Sequence, residues 1–153
     1  MTVQTLEIKT AIEIQKPAAV IFEAITDPAQ MRHYFISQST GRMEEGKQLV
    51  WNFPEFDIDV PVRVGKMLQD QYVSFYWRSD NQQELLVEIS LTPRENGSTV
   101  VTVTEKDMNN DEGGINWLKG NTEGWANFLA CLKAYLEYGI NLRKGAFDFR
   151  SPQ

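Results

Sequence analysis

The sequence contains only one cysteine, Cys131, and only one histidine, His33. A single cysteine excludes an intrachain disulfide, and the two residues together are too few ligands for a conventional zinc site. The sequence also lacks a glycine-rich phosphate loop and a convincing Ser-His-Asp set. We therefore expect no metal site, no cofactor and no catalytic residue. Whether the protein is nevertheless an enzyme stays open, and the missing reacting group argues against it.

Both of these residues have a structural and a functional interpretation. Cys131 follows Leu129 by two positions in a helical pattern, so it is either a small apolar filler of the core or a nucleophile. The filler is favoured because free cysteines are commonly buried. His33 falls in a short predicted surface helix, where a solvated or capping role is favoured over a functional one.

A basic surface is missing as well. The chain carries 15 basic and 21 acidic side chains, a net charge of −6, and its densest basic stretch is residues 143–144. Nucleic-acid binding requires clustered basic groups, and anionic membranes repel an acidic surface. No window approaches the run of about 18 apolar residues that spans a bilayer, and the N-terminus lacks a signal-peptide pattern. We expect no nucleic-acid partner, no membrane span and a cytoplasmic location.

The features that are present fit one domain over residues 1–153. Apolar residues make up 42% of the chain. A domain of this size buries roughly 68–70% of the surface that its unfolded chain exposes, which is enough for a core without disulfides. We expect an ordered core over about residues 4–142 and a loosely held C-terminal tail at residues 144–153.

Alternating residues predict a strand at residues 6–14. Pro17 suits the first turn of a helix, predicted at residues 18–26, and a second short helix is predicted at residues 29–34 after the break at Asp27-Pro28. Pro61 indicates an edge position or a bulge. Six further strands are predicted, at residues 37–43, 48–53, 57–68, 72–78, 84–92 and 99–105.

From about residue 115 the apolar pattern takes the period of a helix. One mostly apolar stripe, flanked by Phe128 and Tyr135, consists of Leu118, Thr122, Trp125, Leu129, Leu132 and Leu136. Gly139 is a suitable C-terminal stop, and the alternative is that residues 140–143 extend the helix. Strands joined in succession by short hairpins favour an antiparallel sheet. The element order therefore predicts an α+β fold, with two short helices after the first strand and a curved antiparallel sheet wrapped around a long C-terminal helix.

Residues 121–139, NTEGWANFLACLKAYLEYG, resemble the last helix of the SRPBCC (START-like) superfamily. The closer similarity is to its branch related to the activator of the heat-shock-protein-90 ATPase. Three other segments resemble the first helix, middle strand and late hairpin of that family: PAAVIFEAITDP at residues 17–28, VSFYW at 73–77, and VEISLTP at 87–93 followed by NGST. The resemblance covers nearly the whole chain, as a stand-alone domain of the type found at the C-terminus of the activator.

The resemblance implies a helix-grip fold with a cavity between the long helix and the sheet. Members of the superfamily bind apolar or amphipathic small molecules, and a minority are enzymes. The eukaryotic activator adds a separate N-terminal chaperone-binding domain, for which 153 residues leave no room. A chaperone partner is therefore a weaker expectation than a small-molecule ligand.

Aromatic residues are the candidates for the lining of that cavity, since ligand pockets are mostly apolar with a few polar groups. Together with neighbouring apolar positions of the strands and the long helix, they form the set Trp51, Phe53, Phe75, Trp77, Val87, Ile89, Val103, Trp125, Phe128 and Leu129. The alternative interpretation is plain core. The two interpretations overlap, because the core of a grip fold adjoins its cavity.

Glu105 is the polar candidate for the same site. It follows Val103 on the apolar face of a strand at a period of two, so its carboxylate points toward the helix if the strand keeps that phase. Burial of such a group without a partner is costly. The alternative is that the strand ends at Glu105, whose side chain is then solvated or paired with a lysine. The sequence does not choose among the candidate partners Arg32, Arg63 and Arg78.

Two groups of acidic residues complete the polar candidates. They match neither an EF-hand loop nor another regular metal spacing. We expect solvated surface at these positions, which are Glu55, Asp57, Asp59, Asp111 and Glu112.

Three hypotheses of function follow. The first is a module that binds an apolar or amphipathic small molecule between sheet and helix, oriented by Glu105 or a tyrosine. The second is a co-chaperone-like or stress-response interaction protein, which an exposed apolar patch would favour. The third is a cyclase or hydrolase type of enzyme, which requires a polar pair in the cavity. A homodimer through an exposed strand or the tail is a further expectation, because open sheet edges invite pairing.

Overall fold

The structure is a computed structural model that describes residues 4–56 and 58–150. In this part of the chain, seven strands and three helices follow the predicted order. The strands are β1 (Leu6–Ile14), β2 (Gln38–Ser39), β3 (Gln48–Phe53), β4 (Ile58–Leu68), β5 (Tyr72–Arg78), β6 (Glu84–Pro93) and β7 (Thr99–Met108). The helices are α1 (Ala18–Thr26), α2 (Pro28–Met31) and α3 (Glu112–Tyr138), and a 3-10 turn covers Asp148–Arg150. None of the helices described is long and apolar enough to cross a membrane.

All seven strands form one antiparallel sheet in the order β1-β7-β6-β5-β4-β3-β2. From β2 to β7 each strand pairs with the next one in the chain, and β1 closes onto β7 with Ile8 opposite Glu105. The register shifts between Val64 and Met67 in β4. An irregularity of this kind bends a strand and increases its twist, so the sheet curves around α3. The predicted α+β helix-grip fold is confirmed.

The ends of α3 are fixed by local hydrogen bonds. The Asp111 carboxylate caps the N-terminus by accepting a hydrogen bond of 2.7 Å from the Gly114 N–H. A Cβ on Gly114 would lie 1.8 Å from the carbonyl oxygen of Asn109, so glycine is required at this close approach. At the other end Gly139 has a left-handed φ of 65°, and its N–H bonds to carbonyls of the preceding turn. The predicted stop at Gly139 is confirmed.

The core lies between α3 and the concave face of the sheet. The backbone of α3 comes closest to β1. Its predicted stripe faces the sheet, with Trp125, Leu129 and Leu132 buried and Leu118 and Leu136 partly buried. The space between α3 and the more distant strands is therefore filled by large side chains.

Two short elements differ from their predictions. α2 stops before residue 34 because Tyr34 turns into the core, where its hydroxyl donates a hydrogen bond of 2.8 Å to the carbonyl oxygen of Ala24. β2 covers only part of the strand predicted at residues 37–43, because the chain leaves the sheet and the N–H of Met43 bonds to the Thr26 carbonyl.

The courses of β4 and β7 test the predictions made for Pro61 and Glu105. The registered pairing of β4 with β5 stops at Arg63 and Tyr76, so Pro61 pairs with β3 alone. This position is equivalent to an edge, where a missing N–H is tolerated. β7 continues past Glu105 to Met108, so Glu105 is an interior residue of its strand.

The segment after α3 contacts the rest of the protein through side chains. Arg143 pairs with Glu55 and Arg150 pairs with Glu123. Of the tail predicted at residues 144–153, residues 151–153 lie outside the described residues. Contacts that arginines make across the chain leave no local pattern in the sequence. Glu55 is buried in its ion pair, so the prediction that it belongs to a solvated acidic surface is wrong.

Candidate functional site

Glu105 lies on β7, the second strand of the sheet, between Ile8 of β1 and Val87 of β6. Its side chain is fully buried, with 0% exposure, and points toward α3. The interpretation in which the strand ends at Glu105 and leaves it solvated is wrong, since β7 keeps its alternation to Met108. The inward phase predicted from the period of two is confirmed.

Three neutral N–H groups hold the Glu105 carboxylate. Nε1 of Trp77 donates to Oε2 at 2.8 Å, and Nε1 of Trp125 donates to Oε1 at 2.8 Å. Nδ2 of Asn121 also donates to Oε1, at 3.1 Å. A carboxylate has about four acceptor sites, so one site remains for a further donor. These bonds join β7 to β5 and α3 across the core.

Within residues 4–56 and 58–150, neither lysine nor arginine forms an ion pair with Glu105. The cationic partners considered from the sequence lie elsewhere. Arg63 pairs with Glu84 at 2.9 Å, Arg78 donates to a backbone carbonyl, and Arg32 is exposed. Sequence reasoning missed the indole partners because tryptophan enters a hydropathy pattern as an apolar residue, although its N–H is a donor.

The two indoles belong to an aromatic cluster in which neighbouring ring centroids lie 4.7 to 6.5 Å apart. Most of these pairs are tilted or edge-to-face, which the ring quadrupoles favour. The aromatic cluster consists of Phe35, Trp51, Phe53, Phe75, Trp77, Trp125 and Phe128. All but Phe35 belong to the predicted lining. Phe35 was missed because it follows α2 in an irregular segment, where no periodicity indicates its direction.

The remaining predicted lining residues complete the wall of the same core. Val87, Ile89, Val103 and Leu129 are all buried, and they belong to one continuous hydrophobic core with the aromatic cluster. The structure thus brings every predicted lining position into one core, which Glu105 joins through Trp77 and Trp125.

Aromatic rings occupy the space where the resemblance implies a cavity. Two open depressions, of about 850 Å³ and about 410 Å³, lie along β3, β4 and β5 and beside the β5–β6 pair. No described residue of α3 lines either of them. Neither depression lies between α3 and the sheet, where rings of the aromatic cluster pack against one another.

Trp51 carries an unused donor inside the aromatic cluster. The residue is 1% exposed, and its indole N–H has no acceptor among the described residues. A buried donor without a partner costs about 1–3 kcal/mol. The ring centroids of Trp51 and Trp77 are 6.4 Å apart, and Trp77 donates to Glu105, so this donor and the carboxylate belong to one aromatic cluster. The site therefore offers a free donor and a spare acceptor.

One side of the aromatic cluster reaches solvent. Phe53, Trp77 and Asn121 are partly exposed, whereas Trp51, Phe75 and Trp125 are buried. The partly exposed residues come from the ends of β3 and β5 and from the first half of α3. The cluster is thus nearest to solvent between these elements.

The lone cysteine and histidine lie outside this arrangement. Cys131 is buried on α3, and burial raises the pKa of its thiol, which fits an apolar filler. His33 is exposed and stacks on Tyr135 with ring centroids 5.4 Å apart. In the described part of the chain, the acidic, histidine and cysteine side chains form no group of three or more suited to a metal ion.

The predicted acidic surface is confirmed at Asp59, Asp111 and Glu112, which are exposed. Asp111 also caps α3. Asp57 lies outside the described residues.

A family profile now agrees with the geometry. The profile described as "Activator of Hsp90 ATPase homolog 1-like protein" matches residues 15–137. The chain belongs to this family. The matched region begins directly after β1 and ends in the last turn of α3, so it contains Glu105 and the aromatic cluster.

Solved structures of related proteins share the fold. The protein SSP2350 from Staphylococcus saprophyticus is 32% identical, with a TM-score of 0.77 over 88% of this chain and 94% of that one. The Aha1 dimer from Colwellia psychrerythraea is 20% identical, with a TM-score of 0.74 over 88% and 98%. DynU16, described as a putative protein in the dynemicin biosynthetic locus, is 22% identical, with a TM-score of 0.76 over 88% of this chain and 48% of that one.

None of the curated protein sequences compared with the chain matches it. The family and the fold therefore rest on the profile and on the solved structures.

Proposed function

We propose that this protein binds a small amphipathic molecule with a flat apolar body, between α3 and strands β3, β5 and β7. The observation that carries the proposal is the buried Glu105 carboxylate, held by neutral donors only, in the same aromatic cluster as the unpaired indole N–H of Trp51. The ligand's apolar body would contact the aromatic cluster. Its polar group would accept from Trp51 Nε1 and donate to the spare site of Glu105.

Stability alone is a weak reason for this polar arrangement. A buried charge is expensive to desolvate, and well-packed apolar residues of similar volume often stabilise a core as well or better. An unpaired indole N–H adds a further cost at Trp51. Polar groups of this kind in an otherwise apolar region are typical of ligand sites, where few polar groups orient a mostly apolar molecule.

Ligand binding requires rings of the aromatic cluster to move, because they now fill the site. Each aromatic pair contributes about 0.5–1.5 kcal/mol beyond its burial. A flat apolar ligand that stacks against Trp77 and Phe53 replaces such contacts with equivalent ones. The new contacts then offset the free energy lost when ring pairs of the cluster separate. The Trp77 and Phe53 rings are partly exposed, and Phe35 lies beside Phe53 with ring centroids 5.3 Å apart.

A ligand panel tests the proposal. Neutral polyaromatic compounds and single-chain lipids are titrated while tryptophan fluorescence and the melting temperature are followed. We expect saturable quenching and a raised melting temperature for at least one planar amphipathic class. Trp51→Phe should weaken binding about tenfold, equivalent to the ~1.4 kcal/mol of one hydrogen bond.

Trp117→Phe is the matched control. Trp117 also has a buried indole N–H without an acceptor among the described residues, but it stands outside the aromatic cluster. Its substitution should leave the dissociation constant unchanged. Equal losses in the two variants, or no saturable response to any compound, would contradict the proposal.

A second candidate function is an interaction through the surface, either with another protein or with a second copy of the chain. Several large apolar side chains near the C-terminal end of the described chain are exposed: Tyr138 at 67%, Ile140 at 53%, Leu142 at 49% and Phe149 at 78%. Clustered exposed apolar groups mark interaction sites. The related protein from Colwellia psychrerythraea is described as a dimer. Light scattering after size exclusion should then give the mass of a dimer, and Phe149→Ser should shift it toward the monomer.

A further inference from the structure

The chain after α3 runs back along that helix. Gly139 reverses its direction, and Arg150 then reaches Glu123, with Nη2 of the arginine 2.7 Å from Oε1 of the glutamate. α3 rises about 24 Å between Glu123 and Gly139 at 1.5 Å per residue, and residues 140–150 cover this distance in the opposite direction. We call residues 140–150 the strap.

Arg143 connects the strap to the aromatic cluster. Its Nε donates to Oε1 of Glu55 at 2.5 Å, in the turn between β3 and β4. Its guanidinium carbon lies 5.9 Å from the ring centroid of Phe35 and 5.0 Å from that of Phe147. The side chains of Arg143 and Glu55 are 15% and 4% exposed. We call the Arg143–Glu55 ion pair the inner contact. It joins the strap to the β3–β4 turn beside the Phe35 ring of the aromatic cluster.

Arg150 forms an outer contact that differs in burial. Its guanidinium carbon lies 4.8 Å from the Phe147 ring centroid, so Phe147 is bracketed by the two arginines. The side chains of Arg150 and Glu123 are 32% and 61% exposed. Exposed ion pairs stabilise little, whereas a buried pair is hard to break one partner at a time. The strap is thus weakly fixed at its far end and strongly fixed at Arg143.

Apolar burial contributes little to holding the strap. Ile140, Leu142 and Phe149 leave much of their surface in solvent. Gly139 and Gly145 have positive φ values of 65° and 76°, one on each side of Arg143. Segments with few buried apolar contacts open at lower free energy than the core does. The strap's attachment therefore depends on its two ion pairs and on cation–ring contacts.

We propose that the strap is a gate over the aromatic cluster, closed by the Arg143–Glu55 and Arg150–Glu123 ion pairs, and that a ligand reaches the cluster when these pairs separate. This inference rests on the proposed function. When the pairs separate, the strap swings about Gly139 and uncovers Phe35. The rings of the aromatic cluster then gain the room that a ligand needs.

The test measures rates of binding with the neutral fluorescent probe N-phenyl-1-naphthylamine. Stopped-flow energy transfer from tryptophan gives its association and dissociation rate constants.

A released variant combines Glu55→Gln, Arg143→Gln and Arg150→Ala, which leaves no unpaired charge at the inner contact. A locked variant carries Glu123→Cys and Arg150→Cys joined by a bismaleimide, while Cys131 is buried and protected from the reagent. Arg63→Gln with Glu84→Gln is the control, because it removes an exposed ion pair of the sheet.

We expect both rate constants to rise about tenfold in the released variant, as when the closed state is weakened by ~1.4 kcal/mol, with little change in the dissociation constant. Both should fall in the locked variant and stay unchanged in the control. If the released variant does not fold by circular dichroism, Arg150→Ala alone carries the comparison, because it removes only the exposed pair. Equal rate constants in the wild-type, released and locked proteins overturn the gate while leaving ligand binding intact. Absence of saturable binding in every variant overturns both proposals.

Discussion

Glu105 is a fully buried acidic residue that accepts hydrogen bonds from both the sheet and α3. Its burial removes the carboxylate from water, and two indoles and one amide replace the lost hydrogen bonds. Hydrogen bonds to an ionised acceptor are short and strong, and each contributes about 1.5–3 kcal/mol. The residue therefore both fastens α3 to the sheet and keeps a polar point inside an apolar region.

Glu105→Gln should lower the free energy of unfolding by about 2–3 kcal/mol. The substituted amide keeps one acceptor but turns an NH2 group toward an indole donor, so at least one charge-assisted bond is lost. Urea unfolding followed by tryptophan fluorescence measures the change. Glu84→Gln is the matched control on the surface, and it should cost no more than about 1 kcal/mol because its pair with Arg63 is exposed. Similar losses in the two variants would contradict the account.

Two glycines of α3 should respond in opposite directions to alanine. Gly114→Ala places a Cβ 1.8 Å from the Asn109 carbonyl oxygen and should destabilise the protein by more than about 2 kcal/mol, since backbone must move. Gly120 has nothing within 4 Å of a built Cβ, so Gly120→Ala should stabilise by about 0.5–1 kcal/mol through helix propensity. Melting temperatures of the two variants check this contrast, and a loss at Gly120 would contradict it.

Glu88 gives a pH dependence with a definite sign. The hydrogen bond from the Tyr72 hydroxyl, aided by Lys106, lowers the pKa of the Glu88 carboxyl below 4.5. A carboxyl with a lowered folded pKa stabilises the protein above its unfolded pKa, and this contribution is lost as the pH falls through the folded value. Glu88→Gln should therefore cost about 1–2 kcal/mol at pH 7 and much less near pH 3.

Urea unfolding at the two pH values measures this difference, with Glu95→Gln in the exposed β6–β7 turn as the control. Burial and the same hydrogen bond raise the pKa of Tyr72 to about 12. The protonated Tyr72 side chain therefore contributes fully to the free energy of unfolding below pH 10.0, and this contribution is lost as the pH rises through about 12. A Glu88→Gln cost that is constant from pH 3 to 7 would contradict the assignment.

At the scale of elements, periodicity predicts well where one face of an element is buried. β1, β3, β5 and α1 agree with their predicted bounds, and α3 gains one turn at its start. α2, β2 and the strap were harder to predict, because their positions follow from tertiary contacts. Tyr34 turning into the core ends α2, and Arg143 reaching Glu55 places the strap. Neither contact has a local sequence pattern.

The start of α3 is the element boundary most open to a direct test. Asp111→Ala removes the acceptor of the Gly114 N–H and should cost about 1 kcal/mol of stability. Asp111→Asn keeps an oxygen acceptor and should cost only a few tenths of a kcal/mol. Chemical unfolding of both variants distinguishes the cap from a general charge effect. Equal costs for alanine and asparagine would show that charge, not capping, matters at this position.

At the scale of the whole molecule, the sequence predicted which residues meet but not how they bond. Period-two alternation placed Trp77 and Glu105 on the concave face, and the helical stripe placed Trp125 opposite them. The side chains that decide the chemistry, the Asn121 amide and the unpaired Trp51 N–H, depend on atomic distances that no pattern contains. The sequence likewise does not predict that aromatic rings fill the region between α3 and the sheet, because this depends on how the side chains pack.

For the molecule as a whole, we propose that the aromatic cluster around Glu105 opens to accept a ligand. Nitrogen-15 NMR tests it most directly, because the four tryptophans give four indole N–H signals. On titration with a binder found in the panel, we expect the Trp51 signal to move downfield as its N–H gains an acceptor, and the Trp77 and Trp125 signals to shift with it. A saturable binder that leaves these three indole signals unchanged would contradict the claim.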